Sequence, residues 1–265
     1  MPLDIDIYLD RIGASEARKP SAENLAHLHR SHLLAVPFEN LDMHLVEKKA
    51  IVLDEDAFFD KIVTRRRGGY CYELNGLFAA LLRALGYDVT LLSGRAKISV
   101  GNFGPEFDHL TLLVRLDESW VVDVGFGDGF LTPLRLDDAG PQNDGLHDYR
   151  LDVRQKDHRL LLRRDERGEW WEQYLFNLVP RELTDFAEMN HHHQTSLSSH
   201  FTRGMVATRA TPRGRVTVSN RRLIRTDGDR QTLEALATDG EVLAALQREL
   251  DLDPAKVGEL RIPGA

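Results

Sequence analysis

The chain has a single cysteine, Cys71, in 265 residues. That excludes an internal disulfide framework and suits a reducing compartment. It also lacks any run of about eighteen apolar residues, so no segment reads as a membrane-spanning helix. Residues Met1 to Arg11 mix acidic and apolar side chains and offer no apolar stretch of signal-peptide kind. We therefore expect a cytoplasmic protein without a membrane partner. An excess of basic charge is missing too. The formal charge is −8, opposite in sign to the electrostatic footprint of a nucleic-acid binder. The basic clusters Arg65 to Arg67, Arg163 to Arg164 and Arg221 to Arg222 are short and read as solvated faces or local anion contacts. There is no internal repeat and no low-complexity tract. What remains, with 42% hydrophobic and 29% charged residues, is a globular chain able to bury a sizeable core.

The first third reads as helical. Ser21 suits an N-cap ahead of Leu25, Leu28, Leu33 and Leu34, and Asp54 suits another ahead of Phe58, Phe59, Ile62 and Val63. After Gly86 the pattern changes to short strand-like runs: 89–92, 110–116, 120–124, 149–153, 160–163 and 170–176. Turn-forming residues separate them, among them Asp117 to Ser119 and the glycine-rich Gly125 to Gly129. Residues 181–204 read as polar and irregular. Further strands are expected at 205–208, 215–218 and 222–226, then a helix over 241–250. Boundaries near 86 and 204 divide the chain into residues 1–86, 87–204 and 205–265.

Cys71 lies in Arg67-Gly-Gly-Tyr-Cys-Tyr-Glu-Leu-Asn75. From Leu74 the apolar positions Leu77, Phe78, Leu81, Leu82 and Leu85 follow the stripe of an amphipathic helix, and Gly86 suits its left-handed end. Cys71 thus falls at the first turn. Free backbone N–H groups and the helix dipole there favour thiolate, the nucleophilic form. A small buried residue is the alternative reading of a lone cysteine.

A cysteine nucleophile needs a base and a group to orient that base. His109 opens one predicted strand and Asp123 lies near the end of the next. A hairpin pairing 116 with 120 sets His109 opposite Gly127, four residues beyond Asp123. Both side chains then share one face because 123 and 127 have the same parity. A bulge or a shifted turn is needed to bring them together. Histidine suits the base role, since a carboxylate on one ring nitrogen fixes its tautomer and orientation.

The segment around Cys71 resembles the nucleophile motif of the arylamine N-acetyltransferases. Val36-Pro-Phe-Glu-Asn-Leu41, Asp108-His-Leu110 and Asp123-Val-Gly-Phe-Gly127 resemble that family's N-terminal, histidine and aspartate segments. Gln194-Thr-Ser196 with Phe201-Thr202 is similar to the loop leading into its third domain. The resemblance implies an α+β, papain-like cysteine-triad fold: an N-terminal helical domain, a central β-barrel-like domain and a C-terminal α/β lid. It also implies a triad of Cys71, His109 and Asp123 that carries acetyl from acetyl-CoA, as co-substrate, to an arylamine, arylhydrazine or N-hydroxyarylamine through an acetyl-cysteine. No permanently bound cofactor is expected. Phe38, Phe126 and Phe201 match positions that line the acceptor pocket. Gly125 and Gly127 read either as amide donors to the coenzyme A tail or as turn glycines closing a strand. Glu39 is expected to pair with Arg66 or Arg67. His191 to His193 lack a carboxylate or cysteine at metal-ligand spacing and are expected in a solvent-facing loop. The rival chemistry on the same triad is an amide synthase, or a transglutaminase-like acyltransferase or hydrolase.

Overall fold

The computed structural model describes residues 3–228 and 230–264. Helices α1 (Ile5–Ile12) and α2 (Ala22–Ala35) come first. The Ser21 hydroxyl accepts the Asn24 amide at 3.1 Å, the cap expected from sequence. A short strand β1 (Phe38–Glu39) and a 3₁₀ turn (Leu41–His44) follow. The Asp54 carboxylate caps α3 (Glu55–Phe59) through the Ala57 amide at 2.9 Å. This helix runs directly into a π-helical turn, Asp60–Thr64, closed by Arg65 N–H on the Asp60 carbonyl at 2.8 Å. Helix α4 (Cys71–Ala84) then carries the predicted stripe, with Leu74, Leu77, Phe78, Leu81 and Leu82 all fully buried.

The middle of the chain forms one antiparallel sheet. Its strands are β2 (Asp88–Ser99), β3 (Asn102–Phe103), β4 (His109–Arg115), β5 (Ser119–Val122), β6 (Leu134–Arg135), β7 (Gln142–Asn143), β8 (Asp148–Gln155), β9 (His158–Arg164) and β10 (Trp170–Arg181). The order is β6-β5-β4-β2-β10-β9-β8-β7, with β3 on β2. The two end strands meet through one side chain. Gln142 accepts the Arg135 amide at 2.7 Å and donates to the Arg135 carbonyl at 3.0 Å, so the sheet curls into a barrel. Strand β4 shows why the layers form. Leu110, Leu112 and Val114 pack into the α4 cluster, while Leu113 on the other face joins Phe130, Tyr149, Tyr174 and Phe176 inside the barrel.

Residues 181–204 are not irregular, as expected, but largely helical. Helices α5 (Ala187–Thr195) and α6 (His200–Arg203) follow the barrel. Asn190 and Gln194 of α5 hydrogen-bond the Ile51 backbone, so distant partners supply the order that local hydrophobicity does not signal. A second antiparallel sheet contains β1, β11 (Val206–Thr211), β12 (Gly214–Ser219), β13 (Arg222–Asp227) and β14 (Arg230–Ala235), in that order. Helix α7 (Asp239–Leu250) buries Val242, Leu246 and Leu250 against it, and a short α8 (Pro254–Val257) follows. The α+β architecture implied by the sequence is present. Among the described residues no helix is long and apolar enough to cross a membrane.

Under α4 lies a buried ionic cluster. Arg67 donates to Glu39 at 2.7 Å and Asp42 at 2.5 Å, while Lys61 reaches Glu73 and Asp42, each at 2.8 Å. The expected Glu39 pairing is thus with Arg67. Glu73 also accepts the Tyr70 amide at 3.1 Å, so the cluster fixes the start of α4. Burial alone would raise the Asp42 carboxyl, but Lys61 and Arg67 hold it down at about 2. The folded value lies below the unfolded one, about 3.9. This stabilisation is therefore complete above the unfolded value and is lost as pH falls toward about 2. We predict that Asp42→Asn lowers stability at neutral pH by about 2 kcal/mol, the range for hydrogen bonds to charged groups. It should also flatten the loss of stability between pH 4 and 2. Urea unfolding across that range checks both, and an acid limb as steep as in the unsubstituted protein would remove Asp42 from the account.

Candidate active site

Strand β4 pairs with β5 through Arg115↔Ser119, Val114↔Trp120, Leu113↔Val121 and Leu112↔Val122. The turn therefore centres on Asp117, one residue earlier than expected, with Leu116 N–H on the Glu118 carbonyl at 2.9 Å. Continued past the strand ends, this register sets Asp123 across from Thr111, one step diagonally from His109. The shift cuts the offset from four residues to two, within diagonal reach, and the shared face follows from parity as argued. His109 Nε2 and Asp123 Oδ2 lie 2.6 Å apart, and both side chains are buried.

Asn75 ties this pair to the cysteine helix. It stands one turn after Cys71, on the same face of α4. Its Nδ2 donates to the Leu110 carbonyl at 2.6 Å and to Asp123 Oδ1 at 2.9 Å, and its Oδ1 accepts the Val124 amide at 2.9 Å. Three hydrogen bonds from one side chain thus join the cysteine, histidine and aspartate segments. Sequence reasoning missed this residue. Its signal was a polar side chain four positions after the cysteine, inside an otherwise apolar stripe.

Cys71 is only 3% exposed. Burial pushes its thiol well above the ordinary range, and the Asp108 and Asp123 carboxylates act in the same direction. The amides of Leu110 and Tyr72 oppose this but do not prevail. The expectation that the helix start alone yields thiolate is therefore corrected: in this dry setting desolvation outweighs the helix end. Asp123 is the reverse case. Burial would raise it, yet His109, Asn75 and the Gly125 amide together hold its carboxyl below the usual range.

Gly125 lies against the first turn of α4. A Cβ there would stand 2.6 Å from Asn75 Nδ2 and 2.9 Å from both Cα and O of Cys71. Gly127 has φ +86° and lies under the Phe38 ring. Close packing and turn geometry account for both glycines. Phe38 and Phe201 are in ring contact at 6.2 Å, while Phe126 packs on His109 at 5.2 Å and Tyr174 at 4.9 Å. His191 to His193 lie on α5 rather than in a loop. His193 is buried, with Nε2 at 3.2 Å from the Asp108 carbonyl and its ring against Tyr72 and Phe201. Two clefts of about 630 and 610 Å³ lie elsewhere, and neither is lined by Cys71, His109 or Asp123.

The N-acetyltransferase family profile matches residues 21–257. A Salmonella typhimurium arylamine N-acetyltransferase / N-hydroxyarylamine O-acetyltransferase is 38% identical, over 80% of this chain and 75% of that protein. The proansamycin X synthase of Amycolatopsis mediterranei is 34% identical, over 94% of this chain and 98% of that protein. The structure of Mycobacterium marinum arylamine N-acetyltransferase in complex with CoA superposes with TM-score 0.87 at 32% identity, over 97% of this chain and 95% of that one.

The packing at Gly125 makes a local prediction. Gly125→Ala should cost about 1–3 kcal/mol, as overpacking does, and slow alkylation of Cys71 because the helix start must move. Gly129→Ala is the control, since its Cβ would meet nothing nearer than 3.5 Å. Thermal unfolding and iodoacetamide kinetics of the two variants test this. Equal behaviour would show that the close contact is unimportant.

Proposed function

The chain belongs to the arylamine N-acetyltransferase family, and from that premise we propose that it moves acetyl from acetyl-CoA to an arylamine, arylhydrazine or N-hydroxyarylamine by a ping-pong reaction through Cys71. The observation that carries the reading is the His109–Asp123 contact at 2.6 Å, fastened by Asn75 to the helix that Cys71 begins. Asp123 occupies Nε2 of the imidazole, which leaves Nδ1 to receive the thiol proton. Sγ then attacks the thioester carbonyl, the bond to coenzyme A breaks, and the departing thiolate takes the proton from His109. An acceptor amine attacks acetyl-Cys71, passes its proton to His109, and the cysteine leaves as thiolate to be reprotonated. Cysteine and thioester are chemical equals, so the first transfer is nearly balanced and one site serves two dissimilar substrates in turn.

Because burial raises the thiol by itself, the thiolate must form together with an imidazolium, and Asp123 stabilises that cation. The acceptor selects itself partly by basicity: arylamines are unprotonated at neutral pH, whereas lysine-like amines, with pKa about 10.4, are not. Phe38, Phe126 and Phe201 supply aromatic surface for such a ring. Of the two loop glycines only Gly127 is offered to the coenzyme A tail through its amide, because the Gly125 amide already donates to Asp123 Oδ1 at 2.9 Å. The helical, barrel and lid units meet near residues 86 and 204, and the reaction is cytoplasmic. The likeness to a proansamycin X synthase supports a second reading, in which Cys71 carries a larger acyl chain to an amine.

Intact mass after incubation with acetyl-CoA should show one added acetyl group, absent in Cys71→Ala. An adduct that survives this substitution sinks the assignment. Iodoacetamide should modify Cys71 rapidly below pH 8.5, and His109→Ala should cut that rate at pH 7 by about 10²-fold, the scale of general-base loss. A profile indifferent to His109 would remove it from the mechanism. Mass analysis with longer acyl-CoA thioesters separates the two readings. Acylation by long chains with none by acetyl would favour the synthase.

A further inference from the structure

His29 of α2 is fully buried, far in sequence from the triad, and none of the chemistry above uses it. Its ring lies between the two ends of the loop that carries Asp123. Nε2 is 3.3 Å from the Asp123 amide nitrogen and 3.1 Å from the Asp123 carbonyl, and Nδ1 is 3.2 Å from the Leu131 carbonyl. The Leu131 amide is held from the other side by Asp144 Oδ2 at 2.8 Å. The imidazole stacks on Phe130 at 5.5 Å with planes 7° apart. Burial holds it at about 4, so it is neutral at pH 7 and has one N–H to place.

Only one tautomer satisfies the backbone at both ends. With the proton on Nδ1, the ring donates to the Leu131 carbonyl and its bare Nε2 accepts the Asp123 N–H. With the proton on Nε2, the ring would donate to the Asp123 carbonyl at 3.1 Å, but the Asp123 N–H would lose its acceptor and the Nδ1 lone pair would face the Leu131 carbonyl, so the far end of the loop would be released. We propose that His29 is a positioning residue for the transfer reaction: its neutral ring fastens both ends of the 123–131 loop and so sets where the Asp123 carboxylate meets His109. The same loop carries Phe126, which packs on the His109 ring, so the clamp acts on the imidazole from two sides. The inference rests on the reading of Cys71, His109 and Asp123 as the catalytic triad.

Two substitutions separate positioning from packing. His29→Phe keeps a flat ring against Phe130 and loses both polar contacts. His29→Gln keeps a donor and an acceptor on one side chain. We expect His29→Phe to slow acetylation of Cys71 by acetyl-CoA about 10²-fold, the scale of an ångström-level misplacement. Its iodoacetamide profile should move toward higher pH, and His29→Gln should recover most of both. If both variants match the unsubstituted protein in rate and pH profile, the inference is overturned. If both merely unfold at lower temperature while the profile stays fixed, His29 is a packing residue and the inference is likewise overturned. Alkylation needs no acyl donor. An unsubstituted protein that takes no acetyl, with a profile that still shifts in His29→Phe, would therefore defeat the transferase reading and keep the clamp. Nitrogen-15 NMR of the unsubstituted protein tests the geometry without any variant: it should find the proton on Nδ1, and a proton on Nε2 would refute the clamp.

Discussion

How closely the first turn of α4 can approach the barrel rim decides the rest of this site. Gly125 is the contact point, and any side chain there would occupy the space of the Cys71 backbone. That closeness lets a side chain as short as Asn75 bridge from the helix to both the Leu110 carbonyl and the Asp123 carboxylate. It also brings the Leu110 amide, next to His109, to the Cys71 thiol. The three side chains of the proposed triad come from a helix, the end of a strand and the loop after the next strand. Without a fixed spacing between helix and sheet they would share no geometry, since none is close to another in sequence.

The same helix is held from below by charges that would be costly if they stood alone. Glu39, Asp42 and Glu73 surround Lys61 and Arg67 beneath α4. An ion pair in such a place is often no more stabilising than apolar packing, because desolvation consumes most of the attraction. Directionality is what it supplies. Glu73 reaches back to the Tyr70 amide, and Arg67 crosses to the segment of β1, whose strand belongs to the C-terminal sheet. Gly68 shows how tight that crossing is: a Cβ there would lie 2.1 Å from the Pro37 carbonyl oxygen. Gly68 therefore serves the approach of two backbones and Gly69 makes room for the Glu73 side chain, 2.9 Å from where its Cβ would stand, with no need of a left-handed conformation at either.

What the sequence disclosed was whatever depends on short-range pattern. The α4 stripe, the Ser21 and Asp54 caps, the strands from 89 to 176 and the shared face of His109 and Asp123 all follow from periodicity and parity. What it hid depends on distant partners. Helix α5 has little amphipathic pattern and is ordered by bonds to Ile51, so its histidines read as loop. The one-residue displacement of the β4–β5 turn has no signature in Asp117 to Ser119, yet it brings the histidine to its carboxylate. Asn75 and His29 escaped for one shared reason. Each sits on a helix as a polar residue among apolar neighbours, and only the fold reveals the backbone groups it serves.

The opposite shifts of Cys71 and Asp123 express one electrostatic decision. Both are buried, and burial penalises charge on either. Asp123 escapes because His109, Asn75 and the Gly125 amide all donate to it, so its negative charge is solvated by fixed protein dipoles. At Cys71 burial and the Asp108 and Asp123 carboxylates outweigh the Leu110 and Tyr72 amides and hold the thiol well above its ordinary range. The negative charge of the resting site therefore sits on the aspartate. In the proposed reaction it appears on sulfur when a proton moves to His109, and the imidazolium then lies against a carboxylate already prepared for it. On the proposed mechanism the dyad on the barrel rim, more than the helix terminus, is what makes the lone cysteine of this chain a nucleophile.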